Sequence, residues 1–206
     1  NKLTKQFTHY QHDPQNPNSL SGNVVRGLFA DTQGDLWIGT TDGLDRHDPV
    51  SGTFTHYPYD PDNPNSLSDS RVWGITADRE GAVWITTMNG LNRYDRARNR
   101  FRRYLHAPQN PDSISHNNPM RVFEDRRGTL WVTTFGGGLE VYDRANDRFM
   151  HYIHDPNNAN TINHNTVWSL YEDRSGVMWV GTYGSGISTY DRKTERFTRW
   201  RHQPTK

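Results

Sequence analysis

Four tryptophans recur at almost constant spacing along this 206-residue chain. The intervals between them are 47, 47 and 48 residues, and a similar frame surrounds each indole. An Asp-x-x-Gly turn precedes each tryptophan, and a Gly-containing turn follows it. Because internal repeats of this length are typical of stacked architectures, this periodicity constrains the fold more than any other feature. The repeated positions are Trp37, Trp84, Trp131 and Trp179, preceded by Asp31, Asp78, Asp125 and Asp173.

Each repeat predicts four short strands. β-Branched and aromatic residues fill these segments, and Gly, Pro, Asn and Asp separate them. The second strand carries the tryptophan, the third ends in an aromatic residue or His followed by Asp, and the fourth contains Phe-x-x-aromatic. No segment shows convincing helical periodicity. A four-stranded unit of about 47 residues has the size of a propeller blade, so we predict an all-β propeller of antiparallel blades.

The repeats place four blades at residues 11–57, 58–104, 105–152 and 153–201, followed by a tail at 202–206. Residues 1–10 contain a further Phe-x-x-Tyr at Phe7 and Tyr10, which predicts an extra outer strand from a preceding blade. Three arrangements remain open: an arc of a larger ring, a four-bladed ring with a redundant strand, or two chains joined into about eight blades. An open arc would expose apolar blade faces, which predicts self-association, for example as a homodimer.

Composition narrows the functional classes. The 24 basic and 23 acidic residues are well mixed, so no basic stripe for nucleic acid is present. The sequence has no cysteine, which excludes disulfides and thiolate chemistry. No apolar run approaches the roughly 20 residues of a membrane span, and the first residues do not form a signal peptide. The chain starts with Asn1 in place of Met, and we therefore expect a mature or excised piece.

The repeated Trp and Asp residues are interpreted as structural. Repeat units bury a shared core by stacking, and a large side chain at a fixed place fills the gap between neighbours. One Asp per turn provides too few ligands for Ca²⁺, which takes about 6–8 oxygens. We therefore predict neither a metal site nor a cofactor.

One segment carries a family resemblance. Residues 170–182, Leu-Tyr-Glu-Asp-Arg-Ser-Gly-Val-Met-Trp-Val-Gly-Thr, followed by a Gly-Ser-Gly turn at 184–186, closely resemble the two-component regulator propeller repeat. The loop at 12–21 and its copies also resemble that family's inter-blade loop. The resemblance implies a periplasmic sensor region of a bacterial receptor that signals through histidine kinase, hybrid two-component or diguanylate cyclase modules, in several cases in response to a carbohydrate. This sequence shows none of those output modules.

Ligands of propellers usually bind at the mouth of the central channel, where the loops between blades and the turns after the second strands meet. Phe135 and Tyr183 are the strongest candidates, because they vary at a turn where the repeat needs no aromatic residue. Trp73 and Trp168 share one column with Arg26 and Met120, and packing between blades is the alternative role for them. The predicted ligand-binding residues are Asp42, Asn89, Phe135, Tyr183, Arg71, Arg121, Trp73 and Trp168.

Three functions compete for this sequence. The first is a non-catalytic sensor that binds an oligosaccharide or other small ligand, and the second is a protein-interaction scaffold without a ligand. The third is a propeller lyase or hydrolase, which is disfavoured because acids recur once per blade and the unmatched Glu140 has no second carboxyl group as an evident partner. His9, His56 and His151 share one column on the outer strands, and we expect them to be spread around the rim.

Overall fold

The computed structural model describes residues 5–202, and these form sixteen strands and no helix. The strands build four antiparallel sheets of four neighbours each, in the orders β1–β4, β5–β8, β9–β12 and β13–β16. They are β1 (Val25–Ala30), β2 (Leu36–Thr40), β3 (Leu44–Asp48), β4 (Thr53–Tyr57), β5 (Val72–Ala77), β6 (Val83–Thr87), β7 (Gly90–Asp95), β8 (Arg100–Tyr104), β9 (Pro119–Glu124), β10 (Leu130–Thr134), β11 (Leu139–Asp143), β12 (Arg148–Tyr152), β13 (Val167–Glu172), β14 (Met178–Thr182), β15 (Gly186–Asp191) and β16 (Arg196–Trp200).

Each predicted blade range contains one sheet, and we number these sheets blades 1 to 4. The first strands of the blades, β1, β5, β9 and β13, contact one another in sequence and form the inner wall. The predicted all-β architecture of four-stranded antiparallel blades is therefore confirmed. No helix within residues 5–202 has the length and apolar character needed to cross a membrane.

The predicted extra outer strand at the N-terminus is wrong for the part that the structure describes. Residues 5–10 form no strand, because no third strand of a preceding blade is present among the described residues to pair with them. Residues 1–4 lie outside the described range. Tyr10 packs instead against the rings of His47 and Phe54, with centroids 5.6 and 5.8 Å away. The segment thus supplies a side chain where a strand was expected.

The hydrophobic cores lie between blades. In each of the three core clusters, one blade contributes its Trp and the next blade contributes a Tyr and a Phe. At the interface of blades 1 and 2, the ring of Trp37 stacks on that of Tyr57 in its own blade. The same indole meets the ring of Tyr94 from blade 2 edge to face. A single blade has no second layer of its own, so its apolar faces are buried only by its neighbours.

The Asp-x-x-Gly turn orients the indole. In blade 2, Trp84 Nε1–H donates to Asp78 Oδ2 at 2.8 Å, and Asp78 Oδ1 accepts the backbone N–H of Ala82 at 2.9 Å. Gly81 closes the turn with φ +82°, a left-handed conformation that favours glycine. The other three blades repeat the bond from the indole to Asp31, Asp125 and Asp173.

Asp31, Asp78 and Asp125 also join neighbouring blades. Arg144 of blade 3 donates to Asp78 of blade 2 at 2.7 Å, and Arg192 of blade 4 donates to Asp125 of blade 3 at 2.6 Å. Burial by itself raises the pKa of Asp78, but the hydrogen bonds from Trp84 and Arg144 outweigh it and hold that pKa below its ordinary value. The turns therefore carry a buried, paired negative charge between blades.

The loop that enters each blade covers the outer edge of that blade. The N–H of Phe101 in β8 donates to the carbonyl of Asn65 at 2.8 Å, and the N–H of Phe149 in β12 donates to that of Asp112 at 2.9 Å. Arg103 adds bonds to the carbonyls of Asn63 and Ser66 at 2.7 and 2.8 Å. An edge strand with satisfied donors is a poor template for pairing with another chain.

We expect the stability cost of removing an indole to depend on the presence of a following blade. Trp84 is fully buried between blades 2 and 3, so Trp84→Ala should lower the free energy of unfolding by about 3–5 kcal/mol. Trp179 keeps the same bond to its Asp but is only partly buried, so Trp179→Ala should cost less than half as much. Urea titrations followed by circular dichroism measure both. Equal losses would contradict an inter-blade role for the indole.

Candidate functional site

A β-bulge recurs at the start of every innermost strand. In blade 4, Val167 pairs with Thr182 and Ser169 pairs with Gly181, so Trp168 between them has no cross-strand partner. The register shifts in the same way in the other three blades. A bulge re-aims the extra side chain and is often found beside binding sites. The four bulged residues are Arg26, Trp73, Met120 and Trp168.

The turn after each second strand lies beside the start of the innermost strand. The N–H of Phe135 donates to the carbonyl of Asn118 at 2.9 Å, and the N–H of Tyr183 donates to that of Thr166 at 3.0 Å. Blades 1 and 2 form the equivalent bonds. The bulges and these turns therefore occupy one end of the blades, which we call the loop end.

Three aromatic rings meet at the loop end of blades 3 and 4. The rings of Phe135 and Trp168 meet edge to face with centroids 6.4 Å apart, and the ring of Tyr183 is tilted against that of Trp168 at 6.1 Å. Their exposed fractions are 45%, 42% and 61%, respectively. Three of the eight predicted ligand-binding residues thus form one exposed row, which we call the aromatic row.

The turn of blade 3 is attached to blade 4. The carbonyl of Asn165 accepts the N–H groups of Gly136 and Gly138 at 3.2 and 2.7 Å. Gly138 has φ +93°, and a Cβ there would lie 2.4 Å from the carbonyl oxygen of Tyr152, so only glycine fits. Leu91 is the seventh residue after Trp84 in blade 2, whereas Leu139 is the eighth residue after Trp131 in blade 3. The turn of blade 4 has the same extra residue as that of blade 3. Each of these two turns carries an exposed aromatic side chain, Phe135 or Tyr183.

Two histidines lie in the loops that adjoin the aromatic row. His116 Nδ1 accepts the N–H of Asn118 at 3.1 Å, and His164 Nδ1 accepts the N–H of Thr166 at 2.9 Å. In the neutral ring this arrangement leaves the proton on Nε2, as a hydrogen-bond donor. The ring of His116 also packs beside Gly136. A Cβ added to that glycine would lie 3.7 Å from His116 Nε2. Sequence reasoning missed both residues, although they differ from Gly22 and Asp69 at the same place in the repeat.

Among residues 5–202, the other predicted residues form no ring contact or side-chain hydrogen bond with the aromatic row. The indole of Trp73 lies under the guanidinium of Arg26, whose Cζ is 4.1 Å from the ring centroid. Arg71 is held by Asp69 through two bonds of 2.9 Å. Arg121 lines a small cleft of about 220 Å³ between the innermost strands of blades 2 and 3. Asp42 and Asn89 are exposed at the shorter turns of blades 1 and 2.

The sequence profile of the two-component regulator propeller matches residues 19–42, 66–89 and 161–184. Each matched segment begins in the loop before a blade, includes the Trp strand and ends in the turn at the loop end. Three segments of the chain match the two-component regulator propeller repeat. The resemblance predicted from the sequence is confirmed for blades 1, 2 and 4, and blade 3 has the same strand order.

Solved structures with a similar fold include an extracellular domain of a two-component system, an enzyme and a binding protein. An extracellular domain assigned to a hybrid two-component system of B. thetaiotaomicron aligns with TM-score 0.78 and 25% identity, over 89% of this chain and 25% of that one. Virginiamycin B lyase from Staphylococcus aureus aligns with TM-score 0.61 and 19% identity, over 88% and 56%. An auxiliary nutrient binding protein from Bacteroides ovatus aligns with TM-score 0.55 and 11% identity, over 85% and 40%.

The last two likenesses concern the fold alone. This chain spans 25% of the length of the B. thetaiotaomicron domain. No curated protein matches the sequence.

The outer edges of the propeller repeats contain a feature that sequence reasoning missed. Glu140 is fully buried and bonds to both His151 Nδ1 and the hydroxyl of Ser115. His151 Nε2 lies 2.9 Å from the carbonyl of Pro111, in the loop that enters blade 3. Glu140 is therefore engaged by a histidine and a serine, which sequence reasoning did not foresee, and neither of these is the second carboxyl group that a glycosidase needs. The sequence did contain a signal for this feature, because Glu140 stands where blades 2 and 4 have the uncharged residues Asn92 and Ser188.

Blade 1 has a similar cluster. Asp45 Oδ1 bonds to His56 Nδ1 at 2.8 Å and also to the hydroxyl of Ser21, and His56 Nε2 lies 2.8 Å from the carbonyl of Pro17. In the nucleophilic triad of hydrolases the hydroxyl and the acid bond to different nitrogens of the imidazole. Here Asp45 and the hydroxyl of Ser21, the latter at 3.2 Å, both face His56 Nδ1. The second ring nitrogen is engaged by a loop carbonyl. These clusters are therefore arranged to attach loops.

Both imidazoles face acceptors on their two nitrogens, which favours the doubly protonated cation. The hydrogen bond to Glu140 raises the pKa of His151 above its ordinary 6.5. Burial lowers the pKa of His56, but its bonds to Asp45 and Pro17 outweigh burial and raise it. Arg103 and Arg199 occupy the same place in blades 2 and 4 and bind loop carbonyls as permanent cations.

The His151 contact should stabilise the fold most at low pH. A raised folded pKa means that its contribution is complete below about 6.5 and is lost as pH rises through the folded pKa. The difference in urea midpoint between the original chain and His151→Gln should therefore be largest near pH 6 and shrink as the pH rises through the raised pKa of His151.

Arg103→Gln is the matched control, since its guanidinium does not titrate in this range. Its difference from the original chain should stay constant with pH. A His151→Gln difference that stays constant, or grows on the alkaline side, would contradict the role assigned to the imidazolium.

Proposed function

We propose that this propeller segment is the ligand-sensing part of a bacterial signal-transduction receptor and works outside the cytoplasm. Two observations support the proposal: the two-component regulator propeller repeats, and the 25% identity to an extracellular domain assigned to a hybrid two-component system. In this proposal the chain recognises a stimulus and performs no chemistry. The described residues contain no group of three or more His, Cys, Asp or Glu suited to a metal ion.

The ligand that fits the loop end best is an oligosaccharide, and the aromatic row is the observation that carries this proposal. Sugars present apolar C–H faces that pack on aromatic rings, and Trp and Tyr provide such faces with few rotatable bonds. Phe135, Trp168 and Tyr183 span two blades and keep roughly half of their surface exposed. A row of rings suits an extended chain of sugars better than a compact metabolite.

Polar groups beside the row suit sugar hydroxyls. The Nε2–H groups of His116 and His164 have no partner among residues 5–202, and their rings are oriented by the bonds at Nδ1. Fixed donors beside aromatic faces are the usual composition of small-molecule sites. The row and the two imidazoles together form our proposed ligand-binding site.

A protein-interaction or self-assembly scaffold is the second candidate. The observation in its favour is an exposed apolar face on blade 4, which includes Tyr171, Ile187 and Trp200. This role, including the predicted homodimer, needs no small ligand. A lyase or hydrolase is a weaker candidate, since the acid–histidine clusters have both imidazole nitrogens engaged by acid and loop groups.

Calorimetry of the full chain against neutral and acidic oligosaccharides should detect binding at millimolar sugar or below. Trp168 is the central ring of the row, so Trp168→Ala should weaken the affinity at least about tenfold, or 1.4 kcal/mol. Trp200→Ala removes a somewhat more exposed indole from the outer edge strand of blade 4 and should leave the affinity unchanged.

Absence of binding by the folded chain across the panel would rule against a carbohydrate ligand. A concentration-independent dimer in light scattering, together with that absence, would favour the scaffold. Equal loss of affinity in the two variants would place the ligand elsewhere.

A further inference from the structure

One face of blade 4 is exposed, although the equivalent face of each of blades 1 to 3 is buried. We call it the trailing face; it faces away from blade 3 and consists of Tyr171, Trp179, Ile187 and Trp200. Ile187 is 41% exposed, although its counterparts Leu44, Leu91 and Leu139 are each 0% exposed. Tyr171 and Trp200 are more than half exposed. An apolar patch of this kind marks an interaction surface.

The three existing interfaces show what covers such a face. Each buried Trp meets a Tyr from the third strand of the next blade edge to face, at centroid distances of 5.1, 5.0 and 5.3 Å. The hydroxyl of that Tyr bonds to the hydroxyl of the Tyr that ends the fourth strand of the preceding blade. The arginine two positions after it reaches the turn Asp of the preceding blade. Tyr-x-Arg is therefore the motif that engages a trailing face.

The polar groups of the trailing face lack these partners. Asp173 accepts Trp179 Nε1–H at 2.9 Å, but no arginine of another blade bonds to its side chain among residues 5–202. The backbone N–H groups of Arg79 and Arg126 donate to a glutamate of the next blade, and their guanidinium groups donate to its Asp carbonyl. Arg174 stands at the same place in blade 4 and has no such partner within that range.

Blade 1 does not carry the complementary groups. His47 and Pro49 stand where the other blades have the Tyr and Arg of the motif, and Ala30 stands where blades 3 and 4 have glutamate. Tyr10 already covers His47 and Phe54, at the place that the preceding blade's tyrosine takes elsewhere. Neither closure of the chain on itself nor head-to-tail addition of a second copy would supply the missing contacts.

We propose that the trailing face of blade 4 is a docking surface for another blade of this repeat type, one whose third strand ends in Tyr-x-Arg and whose first strand ends in Glu. The tyrosine packs on Trp179, the arginine pairs with Asp173, and the glutamate accepts the backbone N–H of Arg174. The surface continues three interfaces that use the same groups. Charge pairing and ring packing thereby determine which blade docks on the trailing face.

The test extends the full chain after Lys206 with a second copy of residues 105–152, which contains Tyr142, Arg144 and Glu124. The longer connecting loop costs little, since loop closure depends weakly on length. Hydroxyl-radical footprinting then reports on Tyr171, Trp179 and Trp200, which occur once in the extended chain. We expect the oxidation rates of these three residues to fall at least about fivefold, as burial by a stacked blade would require.

The matched control has Tyr142→His, Arg144→Pro and Glu124→Ala in the appended copy only, which are the residues of blade 1. These oxidation rates should stay within about twofold of those in the original chain, because the control lacks the groups that recognise the face. Equal protection by both copies, or by neither, would overturn the proposal. Concentration-dependent protection of the original chain would also overturn it in favour of a second copy.

A second measurement does not depend on footprinting. Asp173→Ala should lower the melting temperature of the extended chain more than that of the original chain, since only the extended chain provides an arginine for Asp173. An equal loss in the two chains would contradict the pairing.

Discussion

The contact on which this structure depends is the packing of one indole between two blades, with its N–H held by a turn aspartate. A blade is one sheet thick, and neither of its faces can be buried from within. The three cores accordingly lie between blades, each around a tryptophan of one blade and a Tyr–Phe pair of the next. The aspartate serves both sides of the interface, because it orients the indole and accepts an arginine from the next blade.

Because other residues provide the contacts between blades, the side chains at the loop end can differ among blades. The indole, the aspartate and the third-strand tyrosine are needed for stacking, whereas the side chains of the bulged residue and of the turn beside it differ from blade to blade. In blades 3 and 4 the turns are one residue longer and carry Phe135 and Tyr183, and the bulge of blade 4 carries Trp168. The proposed ligand site is therefore located where packing constrains the sequence least.

Repeat positions, blade number and strand order could all be predicted, because each depends on residues close together in the chain. Phe135 and Tyr183 were recognisable because they depart from the repeat at a turn. The row that they form with Trp168 was not, since it depends on how two blades are placed side by side. The link between Glu140 and His151 was missed for a related reason: it joins neighbouring strands through side chains whose direction only the register reveals.

The amino-acid sequence alone determined that this protein is built from propeller blades, since turn chemistry, alternating strands and the regular indole are local properties. Tertiary structure decided which of these residues face one another across blades. It placed an arginine on an aspartate 66 positions away, turned the expected N-terminal strand into a single tyrosine contact, and left one apolar face of blade 4 uncovered. Contacts of this kind depend on the twist and spacing of stacked sheets, which no single repeat encodes.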